Sequence, residues 1–278
     1  MSGNNKIFSN LKLRLITGII GAFLLIAAIV LNEWTFFVIF LIISQLTLLE
    51  FYKLAGLDGL SPLKFWGSLS GILIFTLTFL IQKELLSPNY FLAIFPFMSI
   101  TFFIKLYKKD EKKPFSGIAF NFLGIFYVIA PFSLLNFTVF YVHSYHYDIL
   151  IGVLMLLWAT DTGAYFAGIK FGRKKLFHRI SPKKSWEGFI GGCLLAILVS
   201  IGLALYLDVL PWWQWIVIGM IIIVAGTYGD LVESLLKRSL AIKDSGASIP
   251  GHGGFLDRFD GLLLSTPFIV AFLELVRF

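Results

Sequence analysis

Residues 186–207 read WEGFIGGCLLAILVSIGLALYL. After Glu187 the run carries no charge, and its length matches the roughly 20 apolar residues a helix needs to cross the hydrocarbon core of a bilayer. Hydrocarbon offers the backbone no hydrogen-bond partner, so such a stretch spans a membrane only as a helix whose amides bond one another. The rest of the chain repeats the pattern. Further runs lie at 15–31, 34–52, 65–82, 88–104, 117–142, 149–169, 212–234 and 261–277, which makes nine predicted spans. Composition agrees: 58% of the 278 residues are hydrophobic and only 14% are charged, too apolar for a soluble domain of this size. We therefore expect an all-α, polytopic integral membrane protein of about nine transmembrane helices. Pro96, Pro131 and Pro267 fall within spans, where neighbouring groups must satisfy the backbone that a proline frees.

The basic residues test this count. With the N-terminus placed in the cytoplasm, 21 of the 23 Lys and Arg residues fall in cytoplasmic segments, and only Lys83 and Arg277 fall outside. Cytoplasmic loops carry such an excess, so the bias predicts both the span count and a cytoplasmic N-terminus. The net charge of +7 then follows from topology, and nucleic acid is not an expected partner. Lys105 to Lys113 read as a topogenic loop at the lipid headgroups. Met1 to Asn10 are polar and no small-residue cleavage site follows the first span, so no secretory signal is expected. Cys193, the single cysteine, excludes an internal disulfide and reads as a small packing residue.

Polar chemistry is confined to three clusters on the expected cytoplasmic side. The densest runs from Ser234 through Lys237, Arg238, Lys243, Asp244, Gly251, His252, Gly253, Gly254, Asp257 and Arg258 to Asp260. Just upstream, Asp230, Glu233, Ser234 and Lys237 are spaced i, i+3, i+4 and i+7 and share one helix face. A carboxylate inside a span is costly unless it pairs or binds a cation. Ion pairing of Asp230 or Glu233 with Lys237, locking two helices, is the plainer alternative. Clustered glycines let backbone N–H groups approach an anion closely. Asp257 and Asp260, three apart with no histidine or cysteine cluster, favour a hard divalent ion such as Mg²⁺; singly, each could simply complement a helix dipole.

The second cluster, Trp158 to Tyr165, contains the intramembrane acid Asp161. The third is Ser181-Pro182-Lys183-Lys184-Ser185-Trp186-Glu187-Gly188. Ser181 followed by Pro182 predicts a helix start. That would put Lys183 and Lys184 at a helix N-terminus, where free N–H groups already favour anions. The chain lacks the GxxxxGK[ST] phosphate loop.

Residues 234–260 resemble, at every fixed position, the C-terminal pattern of the phosphatidate cytidylyltransferase (CDP-diacylglycerol synthase) family. Trp158–Tyr165, Ser181–Gly188 and Gly229–Ser234 resemble its upstream motifs. The resemblance covers roughly 150–278; before it, the chain is similar only in being a series of spans. It implies the reaction of CTP with phosphatidic acid to give CDP-diacylglycerol and pyrophosphate in the bilayer, with Mg²⁺ as one or two ions and a monovalent ion as a further candidate. On that basis Asp230, Asp257 and Asp260 are the expected metal ligands, with Asp161, Glu233 and Asp244 as further members. Lys237, Arg238, Lys243 and Arg258 are the expected holders of CTP phosphates and pyrophosphate. Lys183, Lys184, Ser234 and the turn Gly251, His252, Gly253, Gly254 are the expected substrate-binding groups.

No internal repeat or linker is evident, so residues 1–278 are expected to form one membrane domain. Helices of 1–145 would serve as scaffold or homodimer interface, and 146–278 would be catalytic. The expected location is the cytoplasmic membrane with the site facing inward. Two rivals remain: a CTP-dependent polyprenol or lipid kinase, which would release CDP, and an anion transporter, disfavoured because the polar groups gather on one side.

Overall fold

The computed structural model describes residues 2–109, 111–242, 245, 246, 248, 249 and 253–277, with side chains from residue 16 onward. Among the described residues there are nine helices: α1 (Ser2–Leu31), α2 (Glu33–Leu57), α3 (Lys64–Gln82), α4 (Pro88–Leu106), α5 (Pro114–Val139), α6 (Asp148–Phe171), α7 (Trp186–Tyr206), α8 (Trp212–Ser239) and α9 (Leu256–Leu275). Each predicted span lies on one of them. The chain is thus an all-α polytopic membrane protein. By length and composition, seven of these helices, α2 to α8, can cross a membrane. In α1 the described apolar stretch is the shorter Ile16–Leu31. Helix α9 carries Asp257, Arg258, Asp260 and Glu274, which dilutes its apolar run.

Local sequence explains several boundaries. Asn32 caps α2, accepting from the Trp34 and Thr35 amides at 2.9 and 3.0 Å, while Thr35 Oγ1 accepts the Asn32 amide in return. In α5 a π turn, Ile125–Ile129, directly precedes Pro131. A proline inside a helix removes an N–H and clashes with the carbonyl four residues back, and the wider π turn is one way to take up that defect. A second π turn, Ile222–Gly226, interrupts α8.

The only strands among the described residues form a hairpin between α6 and α7. Strand β1 (Lys175–Phe177) pairs antiparallel with β2 (Ser181–Ser185), with Lys175 opposite Ser185 and Phe177 opposite Ser181. This corrects the helix start expected at Ser181-Pro182. The helix begins at Trp186, and the cap is Ser185, whose Oγ accepts the Gly188 amide at 3.1 Å. The helix dipole explains the choice. A start at Ser181 would set Lys183 and Lys184 against the positive helix end, whereas a start at Ser185 sets Glu187 there. Glu187 in turn accepts the Arg173 and Lys174 amides at 3.0 and 3.2 Å.

The chain divides into two compact units. The first comprises 1–81, 86–129 and 242–258, so a C-terminal segment is part of the N-terminal unit. Its core is aromatic: Phe36, Phe40, Phe51 and Tyr52 of α2 are buried, as are Phe75 and Phe79 of α3. The Tyr52 hydroxyl donates to the Asn121 carbonyl at 2.9 Å, and its ring fits only because Gly67 and Gly124 carry no side chain. Lys105 differs from the headgroup reading of 105–113. It is 3% exposed and pairs with Glu111 at 2.5 Å while donating to the Ser61 carbonyl.

The second unit comprises 82–85, 130–241 and 259–278. Helices α6 and α7 cross on small residues. A Cβ at Gly163 would overlap the Gly191 carbonyl, and a Cβ at Gly191 would overlap Ala167. Lipid gives helices no hydrophobic reason to associate, so close backbone approach at such residues supplies the packing energy. Trp215 of α8 is fully buried, and its ring occupies the space a side chain at Gly152 would need.

Candidate functional site

The predicted site residues fall in both units. In the second, α8 leaves its π turn at Gly226 and continues as Thr227-Tyr228-Gly229-Asp230. Extra-residue turns of this kind recur at functional sites because they re-aim the helix face beyond them. Gly229 lies directly on α9, where a Cβ would overlap the Asp260 carbonyl. That close approach brings two acid-bearing segments together. Lys184 of β2 joins them: its ammonium lies 2.7 Å from Asp230 Oδ2 and donates to the Thr227 carbonyl at 3.2 Å. The Ser234 hydroxyl donates to Asp230 Oδ1 at 3.3 Å.

Asp260 is half-buried and accepts the Gly261 amide at 2.7 Å. Asp230 and Asp161 lie close enough to repel it, and Lys184 close enough to attract it. Lys184 thus pairs with Asp230 and lies near Asp260, with Asp161 also near Asp260. Among the described residues no group of three or more acid, histidine or cysteine side chains is arranged to enclose a metal ion. Mg²⁺ does not require such a cage. It commonly keeps several waters and takes one or two carboxylates together with substrate phosphates. Asp230 and Asp260 are carboxylates of the kind that suit a divalent ion arriving with a phosphate-bearing substrate.

Glu233 has a different environment. It is 1% exposed and its partner is Lys237, one turn on, at 2.5 Å. The ion pair considered from sequence thus forms within a single helix, and the lysine that meets Asp230 is Lys184. On β2 successive side chains point to opposite faces, which leaves Lys183 exposed. Arg238 and Arg258 are exposed.

The first unit holds the segment leading into α9. Ile249 and Gly253 form a bridge, the Ile249 amide donating to the Gly253 carbonyl at 2.9 Å. Gly253 has φ +90°, a conformation that only glycine adopts without strain. Asp257 Oδ2 accepts two amides, Ser245 at 3.2 Å and Gly254 at 3.1 Å. Lys243, Asp244, Gly251 and His252 lie outside the described residues. Sequence reasoning missed Glu50 of α2, which accepts the Leu256 amide at 3.0 Å and the Ser248 hydroxyl. The signal was present, since Glu50 is a lone acid in the apolar run Leu48-Leu49-Glu50-Phe51, but the N-terminal spans read as scaffold.

Carboxylates, fixed cations and a glycine turn on a polytopic membrane protein define the class of membrane-bound proteins that handle phosphate-bearing substrates. Comparison with known proteins sharpens this. A model of the cytidylyltransferase family matches residues 12–276. A phosphatidate cytidylyltransferase of Staphylococcus saprophyticus is 32% identical over 93% of this chain and 97% of its own length. One from Bacillus subtilis is 29% identical over 96% and 98%, and one from Staphylococcus aureus is 36% identical over 62% and 66%. The chain belongs to the cytidylyltransferase family.

Proposed function

We propose that this protein transfers the cytidylyl group of CTP to phosphatidic acid, giving CDP-diacylglycerol and pyrophosphate. The observation that carries the reading is the acid cluster Asp161, Asp230 and Asp260, with Lys184 paired to Asp230, in a membrane-spanning member of this family. A phosphatidate oxygen attacks the α-phosphorus of CTP. The bond from that phosphorus to the α,β-bridging oxygen breaks, and its electrons leave with pyrophosphate. The attacking oxygen is already anionic near neutral pH, so no general base is needed. The barrier lies in bringing anions together and in the charge on the leaving group, which fixed cations lower.

Asp230 and Asp260 are the residues suited to hold Mg²⁺, with Asp161 beside them. The ion, when bound, neutralises phosphate charge. Lys184 is placed to meet a phosphate that approaches Asp230, and Lys183 extends the basic strand toward the headgroup. Arg238 and Arg258 are exposed and are the guanidinium groups we assign to the triphosphate.

The site faces the cytoplasm of a bacterial-type membrane in this reading, which rests on the distribution of Lys and Arg. Lys83→Cys in intact cells should react with an impermeant maleimide, and Lys170→Cys only after permeabilisation. The reverse pattern would invert the topology.

The reaction is tested on purified protein with phosphatidic acid, cytidine-labelled CTP and Mg²⁺. Chelator-sensitive transfer of label into lipid with release of pyrophosphate is the expected result. Label recovered only as CDP would replace the reading with lipid phosphorylation.

A further inference from the structure

A carboxylate in an apolar helix is stable only if something replaces its water. Glu50 of α2 is 7% exposed, and the segment that replaces its water comes from some 200 positions further along the chain. Its Oε2 accepts the Leu256 amide at 3.0 Å, the first amide of α9, and its Oε1 accepts the Ser248 hydroxyl. The backbone wraps the carboxylate so closely that side chains are excluded. A Cβ at Gly246 would sit 2.8 Å from Oε1, and one at Gly254 would sit 2.5 Å from Oε2. Asp257 holds the same segment from its other side through the Ser245 and Gly254 amides. Two carboxylates, one from α2 and one from the first turn of α9, thus hold the Ser245, Gly254 and Leu256 amides between them.

We propose that Glu50 is a positioning residue for cytidylyl transfer. From α2 it holds the backbone at Leu256 and the hydroxyl of Ser248, and so sets the start of α9, where Asp257 and Arg258 lie. This rests on the proposed function above. Glu50 itself touches no substrate; its effect passes through the backbone it holds. Its described donors are a hydroxyl and an amide, both neutral, so shape and hydrogen bonding matter here more than charge.

The test uses the full-length protein in detergent or nanodiscs, with amide hydrogen exchange and steady-state kinetics measured side by side. Glu50→Gln retains an acceptor for the Leu256 amide and a donor for Ser248 Oγ, and should keep kcat within about threefold of the parent. Glu50→Ala loses both bonds. It should speed exchange in peptides covering 245–257, leave α3 and α7 unchanged, and lower kcat/KM for CTP about 100-fold, the scale expected of a misplaced reacting group. Ser248→Ala removes one donor at an exposed position and should move both readouts the same way by about fivefold, which keeps the test open if Glu50→Ala fails to fold. Unchanged exchange at 245–257 in both alanine variants would overturn the proposal. So would a loss of activity accompanied by faster exchange throughout α2, α3 and α5, because that marks a general structural role. Exchange needs no substrate, so an unmodified protein that failed to use CTP would sink the functional reading while leaving the positioning result legible.

Discussion

The Lys184 ammonium lies 2.7 Å from Asp230 Oδ2 and also donates to the Thr227 carbonyl of the same helix. It is the cation that pairs with Asp230 and lies near Asp260. Both partners are partly exposed, with side chains 24% and 44% accessible, so the pair contributes little to folding, about 1 kcal/mol or less. Its value is to hold a positive charge where phosphate arrives. Lys184→Met should therefore lower turnover about 100-fold, as removal of one preorganised cationic or hydrogen-bonding group does elsewhere. Thermal unfolding should hardly move. A large drop in melting temperature with near-normal turnover would make the lysine structural.

Gly229 tests whether the two acid-bearing segments must touch. A Cβ there overlaps the Asp260 carbonyl, and neither group is the end of a flexible side chain. Gly229→Ala should separate α8 from α9, destabilise the protein by about 1–3 kcal/mol and abolish most activity. Gly202→Ala is the control, because a Cβ at Gly202 meets nothing within 4 Å. Activity there should be unchanged, and stability slightly higher from the gain in helix propensity. Thermal unfolding and cytidylyl transfer, measured on both variants, decide the matter.

Glu111 tests the buried pair in the first unit. Glu111 is 7% and Lys105 1% accessible by side chain, and Gly117 leaves the space they need. Removing one partner strands the other charge away from water, which costs about 3–5 kcal/mol. Glu111→Ala should lower the melting temperature sharply, and Lys105→Met with Glu111→Leu should recover most of the loss. The catalytic rate per folded molecule should not change. Tolerance of the single variant would return this segment to the headgroup reading.

The apolar pattern revealed the helices because every 20-residue run must satisfy its own backbone in lipid. All nine runs are helical, and residues 234–260 carry enough fixed charges and glycines to mark the chemistry. The hairpin was less legible. Ser181-Pro182 reads as a helix start, yet the cap is Ser185, where the dipole meets Glu187 instead of Lys183 and Lys184. Lys105 resembled its exposed neighbours because burial beside Glu111 depends on how α4 and the following turn pack. Glu50 was the hardest case. Its described partners are one backbone amide and one serine some 200 residues away, and local spacing carries no trace of such a pairing.

Removal of metal separates the roles of the acids. If Asp230 and Asp260 hold Mg²⁺ together with substrate phosphates, Asp230→Asn and Asp260→Asn should each abolish transfer. Each should also raise the Mg²⁺ concentration needed for any residual activity, since a site built from one or two carboxylates loses much of its affinity with either. Asp257 is bonded differently: its Oδ2 holds the Ser245 and Gly254 amides. Asp257→Asn keeps an oxygen acceptor for them, so it should lower turnover without shifting the Mg²⁺ dependence. Titration of Mg²⁺ against initial rate for the three variants distinguishes the two functions. An equal shift in Mg²⁺ requirement for all three would place Asp257 among the metal ligands, and no shift in any would remove the acids from metal binding altogether.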